Sequence, residues 1–130
     1  MCNSLHHDSK PIPESGVGYK IMDKYYGEMK PVFGGKTRYW QGDDGWIKWK
    51  PNFYWDNTAD QSNYGFCFFR TKKGAERLLA DCRKIDRKNY TQCLVKKIEY
   101  RKGLGCHEEG GVITGKFFTT SICKEFRILE

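Results

Sequence analysis

Between Tyr64 and Lys84 the stretch YGFCFFRTKKGAERLLADCRK changes its hydrophobic period once, at Thr71. Before that point YGFCFF is an aromatic run of strand type. After it Ala75, Leu78, Leu79, Cys82 and Ile85 recur at helical spacing and form one apolar stripe. Thr71 is the residue type that caps a helix N-terminus. A helix with one apolar face must lay it on something, and the rest of the chain offers strands. The spacing therefore predicts an α+β domain: a mainly antiparallel, twisted sheet with one principal amphipathic helix over 72–84.

The other segments agree with that frame. GVGYKIM reads as a first strand near 17–22, DKYYGEMKP as a turn and a short second strand, and 64–69 as the aromatic strand. QCLVKKIEY is a further strand near 93–100, with Leu94, Ile98 and Tyr100 on one face. GLGCHEEGG reads as a loop because glycine punctuates it. KFFTTSICKEFRIL alternates Phe118, Thr120, Ile122, Lys124, Phe126 and Ile128 on a last long strand over 116–128. Residues 39–64 hold all four tryptophans, with QGDDG as a turn and DNTADQSN as a polar loop, which predicts a hairpin or two short strands. Residues 1–15 are polar, with two prolines, and read as an arm or cover strand, leaving 16–130 as the single domain.

At 130 residues the chain holds enough for one core. Twenty of its residues are aromatic (Phe 8, Tyr 8, Trp 4), so that core is expected to be aromatic-heavy. No run of 18 apolar residues occurs and the N-terminus lacks the apolar stretch of a signal peptide, which predicts a soluble, cytoplasmic protein without a membrane partner. In that compartment the six cysteines read as reduced thiols, with Cys67, Cys82, Cys93 and Cys123 set among apolar neighbours.

Charge is the main functional clue. Lys and Arg number 23 against 16 Asp and Glu, a net charge of +7 that favours phosphates, anionic lipids or acidic proteins as partners. From Arg70 to Lys102, twelve basic residues face four acidic ones. Such a segment can bind nucleic acid, a nucleotide or an acidic protein surface, or can be an ordinary solvated face. Lysines in the first turn of a helix oppose its macrodipole, a penalty that a bound anion reverses and that solvent alone also screens. Arg70, Lys72, Lys73 and Arg77 are the residues assigned to an anion-accepting surface there, with Trp46 and Trp49 as candidates for its apolar wall. Aspartates 43, 44, 56 and 60 among the tryptophans weigh against a groove that tracks a nucleic-acid backbone, and core packing is the commoner fate of clustered aromatics.

Catalytic signatures are thin. There is no G-x-x-x-x-G-K-[ST] phosphate loop. Cys106 and His107 beside Glu108 and Glu109 have the residue types of a nucleophile, base and carboxylate, but neighbours in sequence seldom face one another, and a polar loop accounts for them. Cys2 would become N-terminal on loss of Met1, with its own amine as base. Cys2, His6, Cys106 and His107 have zinc-ligand types without a closed spacing, so no metal, cofactor or catalytic residue is assigned.

The segments GYKIM, GFCFFRTKKGAERLL and FRILE, with the Met-Cys start, resemble a loose group of small phage and gut-bacterial proteins of unassigned function. The resemblance covers most of the chain and implies a viral or mobile-element origin. A weaker resemblance, carried by the Gly-aromatic strand leading into the helix, is to the ADP-ribosyltransferase-like fold. It implies a nucleotide-shaped cleft. Lys20 stands where that fold carries a catalytic Arg or His, and Glu108 and Glu109 are the only candidates for its glutamate.

Three functions remain open on these grounds. The first is a non-enzymatic binding or inhibitor protein that captures a host defence protein or an anionic nucleotide ligand. The second is a nucleic-acid binder through residues 70–102, and the third a transferase-type enzyme. The cysteine reading has a direct check: alkylation under denaturing conditions, without prior reduction, should label all six thiols by intact mass, and recovery of stable disulfides from cells would overturn it.

Overall fold

The computed structural model describes residues 5–23, 30–31, 40–41, 44–49, 62, 64–110 and 115–129. In chain order its elements are β1 (Ser15–Asp23), β2 (Lys30–Pro31), β3 (Trp40–Gln41), β4 (Ile47–Lys48), β5 (Phe66–Phe68), α1 (Lys72–Ile85), α2 (Arg87–Tyr90), β6 (Cys93–Gly110) and β7 (Phe117–Ile128). The strands form one antiparallel sheet in the order β2-β1-β6-β7-β4-β3, with β5 also paired to β7. This is the α+β domain expected. Residues 24–29, most of 50–63, Trp55 and Cys2 lie outside the described residues.

The spine is the β6–β7 pair, in register from Ile98↔Ile128 to Gly110↔Phe117. β1 lies along the first half of β6, from Asp23↔Cys93 to Ser15↔Arg101. On the far side β7 carries β5 through Phe66↔Cys123 and β4 through Ile47↔Phe126. Tyr19 and Phe69 exchange both backbone hydrogen bonds at 2.7 Å, so β5 also reaches back to β1 and the sheet curls on itself.

The loop expected over GLGCHEEGG is instead the second half of β6, which runs as strand to Gly110. The glycines serve close approach, not a turn. A Cβ on Gly103 would stand 2.6 Å from the Pro13 carbonyl oxygen, and one on Gly105 would stand 2.8 Å from that of Lys10. Residues 10–14 therefore continue the edge that β1 vacates: Gly103 donates to Glu14 (2.9 Å), and Lys10 and Cys106 exchange two bonds of 2.8 Å. A register shift between Gly103 and Gly105, beside Lys102 at φ 56°, gives the strand its bend.

The helix forms as its sequence requires. Thr71 Oγ1 accepts from the Gly74 amide at 3.1 Å, and Arg83 and Lys84 complement the last turn. Ala75, Leu78, Leu79 and Cys82 are buried with Ile21, Phe69 and Cys93 in one apolar cluster. Ile85, expected in the stripe, is instead 56% exposed. It closes the helix, whose next residue, Asp86, donates its N–H to Cys82, and Tyr90 of α2 joins the cluster in its stead.

On the opposite side Met22, Phe66, Phe68, Ile98, Tyr100, Cys123 and Phe126 form a second cluster. Phe66 meets Phe126 edge-on at 5.0 Å and Phe68 packs on Tyr100 at 4.5 Å. Lys20 is only 3% exposed; its Nζ donates to the Cys67 carbonyl at 2.6 Å and lies 5.6 Å from the Phe126 ring centre. The described cysteines 67, 82, 93, 106 and 123 are free thiols. Burial pushes the Cys123 thiol up to about 12, against the pull of Lys20, so it stays protonated and unreactive.

The tryptophan hairpin, β3 with β4, is held to the sheet by the β4–β7 pairing and by charge. Trp46 lies under the guanidinium of Arg101 at 4.0 Å and that of Arg127 at 4.9 Å. Arg101 and Lys102 both reach the buried Glu125 carboxylate at 2.6 Å. Burial alone would raise the Glu125 pKa, but hydrogen bonds from Lys102 and Arg101 outweigh it and hold the group below its ordinary 4.5.

Two outcomes follow. Leu79→Ala should cost about 2–5 kcal/mol in urea unfolding, and a change under about 0.5 kcal/mol would place the stripe in water. Because the folded Glu125 is the stronger acid, its stabilisation is complete above the ordinary carboxylate range and is lost as pH falls through the lowered value. Glu125→Gln should therefore flatten the loss of stability measured as pH falls from neutral through and below the ordinary carboxylate range.

Candidate functional site

Where α1 begins, the sheet curls away from it and leaves a cleft of about 490 Å³. One wall is the helix entry: Arg70, the capping Thr71, Gly74, Arg77 and Asp81. The other is the far end of the β6–β7 ladder, with Cys106 and Glu108 from β6 and Lys116, Phe117, Phe118 and Thr119 from the chain entering β7. The β6–β7 register, with Glu108 opposite Thr119, brings these two groups together.

The lining of the cleft combines charged and aromatic side chains. Arg70 and Arg77 are exposed, one just before the helix and one in its second turn. Phe69 and Phe118 pack with ring centres 6.1 Å apart and supply an apolar back, while Phe117 stands 78% exposed at the rim. Lys116 Nζ spans to Asp81 Oδ1 at 3.6 Å and ties β7 to α1 across one end. The first turn of α1 contains no acidic residue. Its positive end is thus not neutralised from within the turn.

The structure brings together two of the six residues assigned from sequence. Arg70 and Arg77 line the cleft, whereas Lys72 and Lys73 do not; Lys72 Nζ lies 3.8 Å from Glu76 on the exposed side of the helix. Trp46 and Trp49 belong to the hairpin and are already engaged: Trp46 by Arg101 and Arg127, Trp49 by Lys124 Nζ at 4.4 Å and by stacking on Tyr64. The apolar wall is phenylalanine, from Phe69, Phe117 and Phe118. Phe117 and Phe118 were visible in KFF, but only the fold brings them beside the helix entry.

The basic segment is partly consumed within the fold. Arg83 donates to the carbonyls of Tyr90 and Cys93, and Arg101 and Lys102 serve Glu125. Strand alternation also divides the CHEE run. Cys106 and Glu108 face the cleft, while His107 Nε2 meets Glu109 Oε1 at 3.0 Å on the other side, with His6 joining them. Cys106 and His107 therefore form no nucleophile–base pair. His6, His107 and Glu109 are the group whose donor atoms could hold a metal ion among the described residues. Lys20, enclosed in the second cluster, does not line the cleft.

Comparison with known proteins found no matching family model, no matching curated protein and no matching solved structure. No helix among the described residues is long and apolar enough to cross a membrane.

Proposed function

We propose that this is a small ligand-binding protein whose cleft at the start of α1 holds an anionic nucleotide-type ligand. The carrying observation is the pairing of Arg70 and Arg77 with an exposed aromatic, Phe117, across a cavity of about 490 Å³. That volume falls in the range of small-molecule sites, roughly 300–1,000 Å³. A phosphate beside the arginines would meet charge and fork-shaped donors, and a base would lie against Phe117 and Phe118. Thr71, Ser121 and the carboxylate of Glu108 add polar groups for the sugar and the base edge.

The reading asks for binding without turnover. In the setting implied by the resemblance to phage and mobile-element proteins, the ligand would be a host signal nucleotide withheld from its receptor. Stoichiometric capture suffices for that, and no catalytic set is required.

Calorimetric titration with mono- and dinucleotides, purine and pyrimidine, tests it. Each arginine makes a charge-assisted contact worth about 1.5–3 kcal/mol, so Arg70→Ala or Arg77→Ala should weaken binding by about tenfold to a hundredfold. Phe117→Ala should weaken it for purines more than for pyrimidines. Lys72→Glu with Lys73→Glu, outside the cleft, should leave affinity within a few-fold. Loss of binding in the lysine pair and retention in the arginine variants would move the site to the exposed face of α1.

A further inference from the structure

We infer that His6, His107 and Glu109 form a site for a divalent transition-metal ion of the zinc class, bound by two imidazoles and one carboxylate. It lies on the side of β6 opposite the cleft-facing Cys106 and Glu108 and does not depend on the nucleotide reading.

His107 and Glu109 stand two residues apart on a strand, so their side chains share a face. His6 reaches them from the arm, which the two Lys10–Cys106 hydrogen bonds hold against the β6 edge. Gly105 permits that approach, since a Cβ there would meet Lys10 at 2.8 Å and Leu5 at 3.1 Å. The three residues are thus delivered by a rigid ladder and a docked segment.

The donor atoms converge on one point. His107 Nε2 is 3.0 Å and His6 Nε2 is 3.9 Å from the same oxygen, Glu109 Oε1, and the three ligand atoms all lie within 4.8 Å of one another. Bonds of roughly 2.0–2.2 Å in tetrahedral geometry set donors about 3.4 Å apart, between those two distances. The stacked rings, with centres 3.7 Å apart, would splay for both nitrogens to take tetrahedral positions on one ion.

Simple ion pairing accounts for less. The His107 side chain is 1% exposed and that of Glu109 9%, so the carboxylate sits where an uncompensated charge is costly. The two rings stack face to face with centres 3.7 Å apart, which brings both Nε2 atoms to the same carboxylate. A shared cation explains why both Nε2 atoms turn to one oxygen. Nδ1 of His107 is buried with no hydrogen-bond partner among the described residues, so Nε2 is the ring nitrogen aimed at the cluster.

The ligand set selects the ion. Imidazole nitrogen suits zinc, nickel, cobalt and copper, whereas magnesium and calcium prefer all-oxygen sites. Three protein ligands leave a fourth position for water or a small ligand. His6 also borders a surface cavity of about 520 Å³ with His7 and Ser9, whose Oγ likewise has no described partner. The zinc-type residues noted in the sequence overlap this set only in part: Cys106 faces away from it, and Cys2 lies outside the described residues.

The test uses the full chain, freed of metal by chelator dialysis and kept in a non-thiol reductant. Titration with zinc against a chromophoric chelator should give one site per chain, weakened at least tenfold by His6→Ala and by Glu109→Gln. Zinc should raise the melting temperature of the wild type and not of His6→Ala, a variant at the arm that leaves both core clusters intact. Cobalt in place of zinc should give the visible absorption of a tetrahedral centre, lost in Glu109→Gln. Stoichiometric binding that survives both substitutions, no zinc effect on wild-type melting, or magnesium binding as tightly as zinc would each overturn the assignment.

Discussion

Every other part of this molecule takes its position from the β6–β7 ladder. Paired from Ile98↔Ile128 to Gly110↔Phe117, the two strands leave β6 one free edge and β7 the other. β1 and then residues 10–14 occupy the first edge, and β5 and β4 share the second. Because side chains alternate along a strand, the ladder also decides which residues meet the helix cluster and which meet the aromatic cluster. A slip of one residue would exchange them all, so the burial of both faces pins the register.

That alternation gives the second half of β6 two separate chemistries. Cys106 and Glu108 look toward the helix entry, where Arg70, Arg77 and Phe117 make a cleft. His107 and Glu109 look the other way, toward the arm and His6. A run of four polar residues that reads as one loop in the sequence is therefore divided between the two sides of a strand. The charge clusters follow a similar economy. Arg101, Lys102 and Arg127 secure the hairpin through Glu125, Glu99 and the face of Trp46, so part of the chain's positive charge is structural.

Local pattern made much of the fold legible. The helix, its Thr71 cap, the buried Ala75, Leu78, Leu79 and Cys82, and the first and last strands all rest on periodicity and capping chemistry, which act over a few residues. Glycine misled at Gly103 and Gly105 because the same residue that marks a turn also permits another backbone to come close, and the partner backbone, residues 10–14, lies some ninety positions away. Ile85 misled because a helical stripe does not reveal where its partner surface ends. The tryptophans looked like a free aromatic wall, since nothing in their vicinity in the chain announces Arg101, Lys124 or Arg127 as partners.

The sequence by itself determined an α+β domain, a helix that opens on basic residues, and an anion-friendly charge balance, because period, capping and net charge are local or additive properties. Tertiary structure alone decided which arginines share a cleft, that phenylalanines rather than tryptophans wall it, and that His6 meets His107 and Glu109. Each of those depends on contacts between residues far apart in the chain, and strand register and chain crossing, not composition, set such contacts.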